Sequence, residues 1–179
     1  MSVMSVSKDL ERLTLEVVAE YDVSAERAWQ LWSDPRQLEK WWGPPTYPAT
    51  VVDHDLTPGG RVSYYMTGPT GDEYRGWWRV IDAQAPRILV LDDGFADADG
   101  RPADMPVVRM RMELADRGSG GVTMTMLSTF PSLEAMEQLV AMGMDEGLRL
   151  AMGQIDDLLV YSETPLPSRR ASCLTQPRS

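Results

Sequence analysis

The chain has 179 residues, 43% hydrophobic and 25% charged, enough for one domain with a buried core and too apolar for general disorder. Its net charge is −10 with no run of Lys or Arg to neutralise phosphates, which argues against nucleic acid and anionic membrane surfaces as partners. A lone cysteine, Cys173, leaves no intramolecular disulfide, and no apolar run reaches signal-peptide or membrane-span length, so the chain reads as soluble and cytoplasmic.

Residues 1–11 carry no apolar period and predict a flexible N-terminus, residues 12–161 a single domain, and residues 162–179 a disordered or loosely held tail rich in Pro and Ser. Residues 14–21 alternate as a first strand, with Leu15, Val17 and Ala19 on one face. Ser24 then caps a helix with Glu26 in its first turn and an Ala28, Leu31, Trp32 stripe; Asp34-Pro35 breaks it. A second helical turn over 35–40 leads into Trp41-Trp42-Gly43-Pro44, which predicts a lid packed over a cavity mouth. From there to residue 129 the punctuation is that of a β-meander. Strands are predicted over 49–56, 61–67, 74–81, 87–91, 107–114 and 122–129, with 92–104 a looser acidic loop. Gly59-Gly60 marks a hairpin turn. Residues 132–160 predict one amphipathic helix of about 28 residues, roughly 42 Å long, with Met136, Val140, Gly143, Met144 and Gly147 on its inner stripe.

A meandering sheet with one wet face must cover the other, and only the last helix is long and apolar enough to do so. A straight helix against a curved sheet leaves a cavity. The expected fold is α+β: a curved antiparallel sheet wrapped around a long C-terminal helix, with two short helices after the first strand.

The chain resembles the bacterial homologues of the C-terminal domain of the activator of the heat-shock-protein ATPase, a branch of the START-like, birch-pollen-allergen-like superfamily with a helix-grip fold. The resemblance is carried by Ala28-Trp29-Gln30-Leu31-Trp32 with Trp41-Trp42-Gly43-Pro44, Asp55-Leu56-Thr57-Pro58-Gly59-Gly60-Arg61, Gly68-Pro69-Thr70-Gly71 and Gly143-Met144-Asp145-Glu146-Gly147. It spans roughly residues 12–160 and implies a cavity between helix and sheet. The eukaryotic namesake stimulates a chaperone's ATPase but carries a further N-terminal domain, so the family name does not by itself imply that activity here.

The chain has one histidine, His54, and therefore one candidate base for nucleophilic or acid–base catalysis. On strand alternation it shares a face with Val52 and Leu56, as a polar ligand contact or as a half-buried side chain bonded to a neighbour. Asp53, His54 and Asp55 are adjacent on a strand and point apart, which excludes a shared metal ion. No cofactor motif is present. Met66, Met110, Met112, Met124, Met126, Met136 and Met144 fall on inward faces, and flexible, polarisable methionine suits either an irregular core or an adaptable apolar pocket. Val62, Tyr64 and Trp78 would add walls to such a pocket. Gly143 and Gly147 inside a helix need a reason: a close approach to the sheet, or space left for a ligand. The expected function is binding of a small hydrophobic or amphipathic molecule. Two competing readings are a polyketide-cyclase- or hydrolase-like enzyme using His54 or a pocket tyrosine, and a protein-interaction role, either homodimerisation or a chaperone contact.

Overall fold

The computed structural model describes residues 3–161. The strands are β1 (Val3–Asp9), β2 (Thr14–Tyr21), β3 (Ala49–His54), β4 (Arg61–Thr67), β5 (Glu73–Gln84), β6 (Ile88–Ala96), β7 (Val108–Asp116) and β8 (Val122–Thr129). Helices α1 (Ala25–Ser33) and α2 (Pro35–Trp41) follow β2; α3 (Leu133–Ala141), α4 (Met144–Gly153) and α5 (Ile155–Tyr161) close the described chain. All strands join one antiparallel sheet in the order β1-β2-β8-β7-β6-β5-β4-β3. After β2 the chain crosses to the far edge of the sheet, and α1 and α2 occupy that crossing. Ser24 accepts from the Arg27 N–H at 3.1 Å, and Asp34 closes α1 and caps α2 through the Arg36 N–H, so Pro35 opens a helix rather than only ending one.

The inward faces are those the alternation predicts. Leu15, Val17 and Ala19 of β2, Val108, Met110, Met112 and Leu114 of β7, and Val122, Met124 and Met126 of β8 are all buried. Trp32, Trp41, Trp42 and Trp78 stack beneath α1 and α2, with Trp32–Trp41 and Trp42–Trp78 edge-to-face at 4.8 Å. The fold is the helix-grip architecture expected.

Four boundaries differ. Residues 3–9, expected to be flexible, form edge strand β1 on β2. Its sequence lacks a regular apolar alternation because only Val3 and Val6 pack on the core, and backbone pairing holds the rest. The acidic stretch after residue 91 is the second half of β6, not loop, because Asp92 and Asp93 continue the ladder opposite Arg79 and Trp78. In β3 Val51 is buried and Val52 is 59% exposed, and a bulge between Val51 and Asp53 puts His54, opposite Val62, on the face of Val51 rather than that of Val52. Finally, the terminal helix is three segments. Gly143, at φ +91°, ends α3 in the left-handed conformation, and its N–H bonds the Val140 carbonyl at 2.9 Å. Gln154 interrupts it again and sends its amide to the Gly43 carbonyl at 2.7 Å. The predicted tail lies outside the described residues.

Candidate functional site

A cavity of about 270 Å³ opens between the inner face of β4–β6 and the α3–α4 junction. Its sheet side is Tyr64, Met66, Gly76, Asp93 and Phe95, its helix side Leu139, Met142, Gly143, Met144, Gly147 and Leu148, and Trp42 and Pro44 wall one end. The junction makes the room. A Cβ placed on Gly143 or Gly147 meets nothing within 4 Å, so neither glycine is demanded by close packing on the sheet. Helix α4 rests on β1 and β2 instead, where Lys8 pairs with Asp145 at 2.8 Å, leaving the β4–β6 side open.

One carboxyl faces this apolar space. Alternation in β6 buries Leu89 and Leu91 and turns Asp93 to the same side, between Trp78 of β5 and Val108 of β7. Tyr64 reaches it from two strands away: its ring crosses Gly76, directly opposite in the ladder, and its hydroxyl donates to Asp93 Oδ1 at 3.1 Å. A Cβ at residue 76 would run into the Tyr64 ring, so this mid-strand glycine is what permits the reach. The indole N–H groups of Trp42 and Trp78 are buried with no hydrogen-bond partner and stand beside the Tyr64 hydroxyl. Burial pushes the Asp93 carboxyl up to about 7, against the opposing pull of the Tyr64 O–H and the Trp78 N–H. Burial and the neighbouring Asp93 charge raise the Tyr64 phenol well above its ordinary value, so it stays a donor.

Of the residues singled out in the sequence, the structure brings Tyr64, Met66, Gly143, Met144 and Gly147 to the cavity wall. Val62, Trp78, Met110, Met112, Met124, Met126 and Met136 are in the solid core instead, all at 1% exposure or less. Val140 packs half-buried against that core. The strand methionines are inward, as alternation requires, but with Met136 of α3 they belong to the core cluster, those of β7 beside α1, and none lines the cavity. His54 sits opposite Val62, and its Nε2 is 2.9 Å from the Trp32 carbonyl oxygen; it is not on the cavity wall. Trp41 is fully buried, while Trp42 and Pro44 border the cavity.

Asp93 is the candidate site residue that sequence reading missed. Asp92-Asp93-Gly94 looks like a turn, which stopped the predicted strand at Leu91. Extending the Leu89, Leu91 alternation by one step would have found it. Among the described residues no cluster of three or more His, Cys, Asp or Glu side chains is placed to hold a metal, and no helix is long and apolar enough to cross a membrane.

Residues 22–160 match the model of the family described as activator of Hsp90 ATPase homolog 1-like protein. The crystal structure of protein Ms6760 from Mycobacterium smegmatis is 47% identical over 88% of this chain and 96% of its own, with a TM-score of 0.81. The solution structure of a protein from Arthrobacter aurescens is 46% identical over 95% of this chain and 99% of its own, with a TM-score of 0.86. The AHSA1 protein from Silicibacter pomeroyi, 19% identical over 84% of this chain and 99% of its own at a TM-score of 0.67, shares the fold. Comparison with curated proteins finds no match.

Proposed function

The chain belongs to the activator of Hsp90 ATPase homolog 1-like family, and from that premise we propose that it is a binding protein for a small, mostly apolar molecule held between β4–β6 and the α3–α4 junction. The observation that carries the reading is a cavity of about 270 Å³ whose helix side is Leu, Met and Gly and whose sheet side presents one carboxyl. Pockets of this make-up, apolar with a few convergent polar groups, are the usual form of a small-molecule site. Nile red fluorescence tests it. Wild-type protein takes up the dye with a blue-shifted emission, and Gly147→Phe, which projects a ring into the space, loses that uptake while keeping its circular dichroism. Equal uptake by both proteins would place any binding elsewhere.

A second reading, an acid–base enzyme acting in the same cavity, is favoured by Asp93 alone: a buried carboxyl near 7 beside a phenol can both take and return a proton at neutral pH. The imidazole of His54 does not supply this chemistry in the cavity, because its Nε2 lies against the Trp32 carbonyl. Under this reading Asp93→Asn abolishes turnover of a bound compound while retaining its binding.

A further inference from the structure

The polar groups of the cavity converge on one corner. The Trp42 and Trp78 N–H groups stand beside the Tyr64 oxygen, Tyr64 donates to Asp93 Oδ1, and Oδ2 accepts no hydrogen bond among the described residues. The two indole donors are sealed in beside the Tyr64 hydroxyl without a partner of their own, and the acceptor left open at the cavity wall is Asp93 Oδ2. Around it the wall is aromatic, with Trp42, Tyr64 and Phe95. Aromatic faces with an adjacent carboxylate are the arrangement that attracts an ammonium group. Among the described residues no cation competes for the place. The other charged or titratable side chains bordering the cavity are Tyr74, which packs edge-on against Tyr47, and Arg75. Arg75 lies on the outer face of β5, where its guanidinium bonds Glu73 at 2.7 Å and lies over the Tyr65 ring. The elements α3 and α4 contribute only Leu, Met and Gly to this wall. A chain of net charge −10 also draws cations in and holds carboxylate ligands off.

We infer that the cavity takes a small apolar amine, its ammonium paired with the free oxygen of Asp93 and its hydrocarbon body against Leu139, Met144 and Leu148. The inference rests on the binding reading above and names the class of ligand. It excludes fatty acids and other apolar carboxylates, which would set two negative groups together in an apolar space.

Three probes of one shape, phenethylamine, phenethyl alcohol and phenylacetate, separate the possibilities by calorimetric titration at pH 8. The amine is expected to bind about tenfold or more tighter than the alcohol, as a charged hydrogen bond allows, with phenylacetate weakest. In Asp93→Asn, a near-isosteric and uncharged change, amine and alcohol should fall within about threefold of each other. Tyr64→Phe keeps the carboxylate and should keep the amine preference. A wild-type preference for the alcohol or the acid, or an amine preference that survives Asp93→Asn, overturns the amine assignment and leaves the pocket intact. Failure of all three probes, together with failure of Nile red uptake, overturns both.

Discussion

Asp93 has an electrostatic consequence that reaches beyond ligand choice. Its carboxyl titrates near 7 when folded against an ordinary 3.8, so between those values the native protein holds a proton that the unfolded chain has released. Stability is therefore expected to fall as pH rises from about 4 to about 7, and to be flat with respect to this group above that. Asp93→Asn removes the penalty, giving at pH 8 a variant more stable than wild type by on the order of 2–4 kcal/mol, at roughly 1.4 kcal/mol per pKa unit. Urea denaturation at pH 5 and pH 8 checks this; equal stability differences at both pH values would show that Asp93 does not titrate near neutrality. His54 should behave as a structural residue. His54→Ala is expected to cost about 1 kcal/mol for the lost contact with the Trp32 carbonyl and to leave dye or ligand affinity unchanged.

At the scale of the element, the glycines of the terminal helix separate by conformation. Gly147 has ordinary helical φ with open space where a Cβ would stand, so Gly147→Ala should stabilise by up to about 1 kcal/mol through helix propensity. Gly143 is held at φ +91°, and Gly143→Ala should destabilise by about 1 kcal/mol or more, since the added Cβ penalises the left-handed junction between α3 and α4. Opposite signs for two glycines four residues apart would be read directly from urea midpoints. On the sheet, Gly76→Ala should cost on the order of 1–3 kcal/mol, because the new methyl displaces the Tyr64 ring that crosses it. It should also weaken ligand binding by breaking the reach of Tyr64 to Asp93.

For the whole molecule, the eight-stranded sheet has two edges, β1 and β3, at opposite ends of the sheet order. Removing residues 1–9 would bare the edge of β2, whose backbone groups now pair with β1. The truncated protein is expected to lose stability and to associate through that edge, visible as a mass increase by light scattering. A truncated protein that stays at the wild-type mass and stability would show that β1 is an accessory to the sheet.

Much of this architecture was legible locally. Strand alternation buries the same residues of β2, β7 and β8 that it predicts to be inward, and Ser24 caps α1 as its position before a helical stretch suggests. Tyr64, Met66, Gly143, Met144 and Gly147 were identifiable as inward or helix-breaking residues, and all five border the cavity. Periodicity alone could not separate Met66, on the cavity wall, from Met110 and Met126, in the solid core. An inward face is a property of one strand, whereas empty space depends on which helix lies above it. The same limit hid the bulge at Val52 and the break at Gly143. A bulge is set by pairing with β4, and one glycine in an apolar helical stripe does not show from its neighbours whether its backbone turns left-handed. The local sequence thus determined which side chains turn inward and where segments begin. Only the tertiary structure decided that Tyr64 reaches across Gly76 to Asp93, because three residues from three strands become neighbours only when hydrogen bonding sets the strands' order and register.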